Sequence, residues 1–269
     1  MTPIVSVIIP TYNRVRELAE LLEALSRQTF KNFEIIIVND AGELVADAVE
    51  LYSELDIQVV DLPVNSYHVW ARNAALPQAR GRYIMPIDDD DYIVPDHMER
   101  MLQEIGDADL VYGDVEIFDY IVNNGTREPV ARFLFAYEHD IDLIRKFNTY
   151  VASGSLYKRT LHDELGMFDV EMRDYWDWDW ILRVMERHKV KKVHRAGTVY
   201  AFAQQGGSNQ SANQGAMREY LDRLCDKHGL GHLPTKNFFL MLEEEEIRSR
   251  RTASEIVWDG KPVVSRLRG

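Results

Sequence analysis

The chain has 269 residues, 46% of them apolar, which is enough to bury a full core and close to the upper size of one α/β domain. Its 31 Lys and Arg against 44 Asp and Glu leave a formal charge of −13, which repels nucleic acid and anionic lipid, so no nucleic-acid partner is expected. The only thiol, Cys225, excludes an intrachain disulfide and a cysteine metal cluster and fits a reducing compartment, where it reads as buried and inert.

The start of the chain lacks a basic stretch followed by an apolar core, and no apolar run approaches the roughly 18 residues of a membrane span. A soluble, cytoplasmic protein without a transmembrane segment is the expectation. Peripheral membrane association and a homodimer are left open.

Residues 4–10 form a near-continuous apolar run, as a strand buried on both faces of a parallel sheet requires. Leu18, Leu21, Leu22 and Leu25 then fall at i, i+3, i+4 and i+7, one face of a helix, and residues 33–38 give a second buried strand. The alternation continues with a helix at 43–54, a short strand at 58–60, a helix at 69–78 and a strand at 82–87. A Rossmann-like, doubly wound, mostly parallel α/β sheet follows.

After Asp91 the pattern becomes mixed α+β. A helix at 96–105 precedes one strand or two at 109–118, and Asn123-Asn124-Gly125-Thr126 has turn chemistry. Ile181, Val184 and Met185 mark a helix across 177–188, and Met217, Tyr220, Leu221 and Leu224 mark another. Periodicity fades beyond Gly229, so residues 231–269 are expected to form an arm or lightly packed tail. Residues 1–230 are expected to be a single domain of two halves, 1–113 and 114–230.

Three predicted strands run directly into polar residues: Thr11, Tyr12 and Asn13 after the first, Asn39 and Asp40 after the second, and Asp88, Asp89, Asp90 and Asp91 after the fourth. In open α/β sheets, ligands bind beyond the carboxyl ends of the strands, so these clusters should meet in one crevice. Four adjacent carboxylates there repel one another and call for a cation; oxygen donors suit Mg²⁺ or Mn²⁺, with substrate phosphates completing the octahedron. Taken alone, the run reads equally as a solvated acidic turn.

The other candidates have similarly plain readings in isolation. Tyr12 offers a stacking surface or a core ring, Asp40 a ribose or base contact or a turn cap, and Arg72 a phosphate fork or a surface ion pair. The segment from Arg173 to Trp180 mixes carboxylates with indoles. Such a surface suits a sugar, with a carboxylate able to take the proton of an attacking hydroxyl, or else forms a tryptophan core capped by Asp. A Gly-x-Gly-x-x-Gly turn after the first strand, a phosphate-binding Gly-x-x-x-x-Gly-Lys loop and a serine nucleophile elbow are all missing.

In this order and spacing, Ser6 through Arg14, Gln28-Thr29-Phe30, Val38-Asn39-Asp40, Ala71-Arg72-Asn73, the aspartate run with Pro95-Asp96, and Trp176-Asp177-Trp178-Asp179 resemble the inverting family 2 glycosyltransferases of the GT-A fold. The resemblance implies donor contacts at Pro10, Thr11, Tyr12, Asn13, Asp40, Arg72, Asp88 and Asp89. It also implies a Mn²⁺ or Mg²⁺ site at Asp88 and Asp90, and a catalytic base at Asp177 with Arg183 as the anchor of its helix. Ser153, Gly154, Trp176, Trp178 and Asp179 fall on the acceptor side. The same resemblance implies that 1–113 is the nucleotide-sugar-binding half and 114–230 the acceptor-binding half.

Two departures stand out. Trp176 replaces an acidic residue of the family's pair, and residues 204–208 stand where many members carry a basic or His-containing loop. The implied reaction moves a sugar, by direct displacement with inversion, from a nucleoside-diphosphate sugar, most often UDP-linked in this family, to a hydroxyl acceptor. The acceptor is a glycan, a lipid-linked sugar or a small molecule, and the setting is glycan or surface-polysaccharide synthesis. Alternatives are a sugar-1-phosphate nucleotidyltransferase and a non-catalytic nucleotide-sugar-binding protein.

Overall fold

The computed structural model describes residues 2–202, 214–235 and 238–267. Strand β1 (Val5–Thr11) is wholly buried and pairs in parallel with β2 (Phe33–Asn39) on one side and β4 (Tyr83–Pro86) on the other; β3 (Ile57–Asp61) extends the parallel sheet beyond β2. The connections are helices α1 (Val15–Ser26), α2 (Ala46–Glu50) and α3 (Tyr67–Ala75), the crossovers that parallel neighbours require. The helix expected at 43–54 is shorter, and that expected at 69–78 starts two residues earlier and ends in a 3₁₀ turn at Leu76–Gln78, where Pro77 lacks the amide to continue it.

Alternating side chains fill two layers. Val5, Val7 and Ile9 face the layer containing the α1 leucines and Met98, Met101 and Ile105 of α4 (His97–Ile105), whereas Ile8, Ile36 and Val38 face the opposite layer. Each fully buried leucine of α1 contributes about 1.5–3 kcal/mol. The opposite layer is built from α3, α7 (Trp176–Met185) and α8 (Gln214–His228), and Cys225 lies buried within it.

The second half of the sheet is mixed. β6 (Leu110–Asn123) is one long strand that runs five residues beyond the expected 118, and it pairs antiparallel with β7 (Thr126–Phe135). The turn between them, Asn124-Gly125, has positive φ at both residues (49° and 78°), as a tight two-residue hairpin requires. Most of the stretch 123–137 is therefore the returning strand of this hairpin.

β8 (Leu156–Lys158) is antiparallel to both β4 and β6 and joins the two halves; β9 (Val190–Ala201) runs parallel to β6, and the two-residue β5 (Tyr92–Ile93) pairs with β9. The result is an α/β fold with a curled, largely parallel sheet.

The expected arm is more firmly attached than its weak periodicity suggests. Helices α5 (Ile141–Ile144) and α6 (Leu161–Leu165) precede it, and it contributes α9 (Phe238–Leu242), α10 (Glu245–Arg248) and β10 (Glu255–Ile256), which adds to the edge of β9. Trp258 is buried against Tyr92 and Phe118, and Arg266 bonds Glu23 on α1 and Glu54 and the Leu51 carbonyl in the turn after α2. Among the described residues no helix is long and apolar enough to cross a membrane.

Candidate active site

The carboxyl ends of β1, β2 and β4 open into one cleft of about 590 Å³, within the size range of small-ligand sites. It is lined by Pro10, Thr11 and Tyr12 from β1, Asp40 from β2, Arg72 from α3, Asp88, Asp89 and Asp90 after β4, Ser153 before β8, and Trp176 and Asp177 at the start of α7. The sheet brings the three early clusters together. The packing of α7 against α3 through the second apolar layer brings Asp177 to them.

Four residues expected at the site lie elsewhere. Asn13 adopts a left-handed φ of 55° and its side chain accepts the Glu43 amide, 2.9 Å away, so it shapes the turn behind the cleft. Gly154, also at positive φ, donates its amide to Pro86 and accepts a hydrogen bond from His97; a Cβ there would lie 2.2 Å from Thr198 Oγ1. Trp178 is buried and donates its indole N–H to the Ile144 carbonyl at 2.6 Å. Asp179, fully buried, is surrounded by Arg183 at 2.8 Å, His228 at 2.8 Å and Lys227 at 2.7 Å. Helical geometry explains the last two: positions 178 and 179 point away from the side on which 176 and 177 meet the cleft.

Arg72 is almost wholly buried and donates to Asp88, and its guanidinium carbon lies 4.1 Å from the centre of the Trp176 ring. Its other terminal nitrogen is 2.7 Å from His68 Nδ1. An arginine can only donate, so that ring nitrogen accepts, and His68 is neutral with its proton on Nε2. Burial, reinforced by the charge of Arg72, pushes the His68 pKa down to about 3.

The aspartate run is electrostatically loaded. Burial, and then the charge of Asp90, push the Asp89 pKa up to about 7 against the opposing effect of Arg14. Asp90 and Asp91 are also raised, first by burial. Asp91 faces inward and accepts the Ala201 amide at 3.1 Å, tying the run to the end of β9. Asp40 lines the cleft while one of its oxygens accepts the Ser66 amide at 2.7 Å, at the start of α3.

Asp177 follows the first residue of α7. One oxygen accepts the Trp178 amide at 2.7 Å, and the other accepts the side-chain N–H of Asn148 at 3.0 Å. Burial raises its pKa to about 6 and Asp88 adds to the rise; the Trp178 amide, Arg72 and Asn148 oppose it. A carboxyl poised near neutrality in a cleft has the character of a general base.

Arg14, His68, Asn148 and Arg173 were not among the expected site residues. Arg14 was visible in the sequence beside Asn13, but nothing there indicated that it bridges Asp89 and Asp90. Arg173 lines the cleft with its guanidinium 3.9 Å from the centre of the Tyr67 ring. The loop at 204–208 lies outside the described residues.

The family model described as glycosyl transferase family 2 matches residues 6–166. An uncharacterized glycosyltransferase of Bacillus subtilis (strain 168), YwdF, is 54% identical over 264 residues, covering 98% of each chain. Among solved structures, S. aureus TarS 1–349 in complex with UDP-GlcNAc superposes with a TM-score of 0.65 at 19% identity, over 92% of this chain and 72% of that one. The mannosyltransferase PcManGT from Pyrobaculum calidifontis, in complex with GDP-Man and Mn²⁺, gives 0.57 at 16% identity, over 93% and 83%. At such identities the two structures speak for the fold, which is GT-A. The family match and the near full-length relative establish that the chain belongs to glycosyl transferase family 2 and is a glycosyltransferase.

Proposed function

We propose that the enzyme transfers a sugar from a nucleoside-diphosphate sugar, UDP-linked, to a hydroxyl acceptor with inversion, using Asp177 as the general base. The observation that carries this reading is that Asp177 faces the same cleft as Arg72 and Asp88, near enough for the charge of Asp88 to raise its pKa. The nucleotide sugars bound to TarS and PcManGT support the donor class.

Tyr12, 47% exposed at the cleft, offers a face for the base. Thr11 and Asp40 lie beside it, and Arg72 reaches the diphosphate with a geometry already set by Trp176 and His68. Pro10 completes that wall. The Asp177 carboxylate accepts the proton of the acceptor hydroxyl as its oxygen attacks the anomeric carbon from the face opposite the nucleotide. The nucleoside diphosphate departs as an anion and needs no proton, so one carboxylate suffices where a glycoside hydrolase uses two.

The residues present suit a divalent cation. The donors are all carboxylate oxygens, and the raised pKa of Asp89 reflects negative charge in need of compensation. Among the described residues no group of three or more metal-ligating side chains is gathered; Asp88 and Asp90 would hold Mn²⁺ or Mg²⁺ together with the substrate phosphates. When bound, the ion supplies charge stabilisation to the departing diphosphate. The Mn²⁺ in PcManGT supports this assignment.

Ser153 and Trp176 border the acceptor side, and a glycan or surface-polysaccharide pathway is the setting proposed from the family resemblance. The domain reading proposed is a single catalytic unit over residues 1–230, with 231–269 as a strap across it.

The test is release of UDP from UDP-sugars in the presence of Mn²⁺ and candidate acceptors, comparing the parent with Asp177→Asn and Asp90→Ala. D177N should lose transfer and keep donor binding, and D90A should lose metal-dependent donor binding. Equal turnover in all three would remove the mechanism. Pyrophosphate release from a nucleoside triphosphate and sugar 1-phosphate would instead identify a nucleotidyltransferase.

A further inference from the structure

Three arginines surround the aspartate run, and they are not equivalent. Arg72 reaches Asp88 from within the protein, packed under Trp176. Arg127, with 4% of its side chain exposed, is pinned to Glu20 by a 2.6 Å ion pair and donates to the backbone carbonyl of Asp90. It fixes the position of the Asp90 main chain and cannot leave without stranding a buried carboxylate.

Arg14 is different. It sits at the start of α1 with 29% of its side chain exposed, and a single nitrogen, Nη1, lies 3.1 Å from Asp89 Oδ1 and hydrogen-bonds Asp90 Oδ2. Its side-chain hydrogen-bond partners among the described residues are these two carboxylates. One of the two carboxylates that hold the guanidinium, Asp90, is a group that a metal ion would claim, and the Arg14 side chain lines the cleft.

We propose that Arg14 is an internal competitor of the divalent cation, so that metal binds Asp90 more tightly once the donor diphosphate draws the guanidinium away. A dication brought to Asp90 would stand beside the guanidinium on the same carboxylate, where the two positive charges repel. A diphosphate offers Arg14 equivalent charge and bidentate geometry. The metal and the nucleotide then bind with positive coupling beyond their direct contact, and by linkage each raises the affinity of the other by the same factor. This inference rests on the donor and metal reading above.

The experiment is calorimetric titration of MnCl₂ at pH 8 into the full chain, alone and saturated with UDP or GDP, for the parent, R14Q, R14L and R14K. Melting temperatures check that each variant is folded. With Arg14 removed, Mn²⁺ alone should bind about tenfold more tightly than to the parent, and the Mn²⁺–nucleotide coupling should shrink by a similar factor. R14K, which keeps the charge, should stay near the parent. Equal affinity of the parent, R14Q and R14L for Mn²⁺ alone would overturn the role of Arg14 while leaving the metal site standing. Nucleotide binding by the parent that ignores Mn²⁺ would overturn the metal reading itself, and this inference with it.

Discussion

The guanidinium of Arg72 packs on the Trp176 ring, 4.1 Å from carbon to ring centre, so the residue preceding the proposed base supports the arginine assigned to the diphosphate. This explains an aromatic residue where the family resemblance implies an acid. A carboxylate at 176 would compete for Arg72, whereas an indole face attracts the cation without occupying any of its N–H groups. W176L is expected to weaken UDP binding by about tenfold, equivalent to roughly 1.4 kcal/mol and within the range of a desolvated cation–π contact. W176F should retain most of the affinity and W176E should lose more than W176L. Equal affinities for all three, measured by calorimetry, would deny the contact any role.

The pH dependence follows from Asp177. A base works ionised, and this carboxyl is held at about 6 by burial and by Asp88. Turnover should therefore rise with pH through about 6 and level off above it, with the limb absent in D177N, whose residual rate should be lower by about 10²–10⁴-fold. Because Asp88 contributes to the shift, neutralising its charge with Mn²⁺ should move the limb to lower pH. A limb that stays in D177N would assign the titration to another group.

Asn148 provides a finer test of the same site. Its side chain donates to the Asp177 oxygen at 3.0 Å and lowers the pKa by favouring the ionised form. N148A should move the acidic limb upward while changing the rate at pH 8 much less than at pH 6. A uniform loss at both pH values would mean that Asn148 acts on geometry rather than on proton affinity.

The main architecture was legible because it is written in local pattern. Apolar runs at Val5–Thr11 and Phe33–Asn39 end in polar residues, and parallel pairing carries those ends to one edge. What was hidden depends on contacts between distant segments. Nothing near Asp179 signals that Lys227 and His228 of α8 meet it, so it resembled a site carboxylate as much as Asp177 did. Arg14 and Asn148 are single polar residues without a periodic signature. Residues beyond 231 lack periodicity because they lie as a strap on a core already formed, anchored at isolated points such as Trp258 and Arg266.

The contrast between the two neighbouring aspartates can be measured. Asp179 is fully buried and ion-paired, with its pKa lowered because His228, Arg183 and Lys227 outweigh burial. D179N should cost about 3–5 kcal/mol of stability by removing the buried carboxylate on which Arg183, Lys227 and His228 converge, read by urea denaturation, while the folded fraction keeps its nucleotide affinity. D177N should do the reverse, abolishing transfer with little loss of stability. An unchanged urea midpoint for D179N would remove the structural assignment.

The strap makes a prediction that the weak periodicity of its sequence would not. Trp258 is 8% exposed, with Tyr92 and Phe118 at ring-centre distances of 6.0 and 5.3 Å and the Arg132 guanidinium 5.6 Å from its ring. Tyr92 belongs to β5, directly after the aspartate run, so the indole packs on the segment that follows the proposed metal site. W258A should cost about 3–5 kcal/mol, as for other buried tryptophans. Because the contact reaches β5, the loss should be accompanied by weaker Mn²⁺-dependent nucleotide binding in the protein that remains folded. R266A, which frees the far end of the strap from Glu23 and Glu54, should cost less and leave nucleotide binding intact, since the arginine is partly exposed and its partners lie on α1 and in the turn after α2, away from the cleft. Equal effects of W258A and R266A on nucleotide binding would show that the strap acts on the whole fold and not through β5.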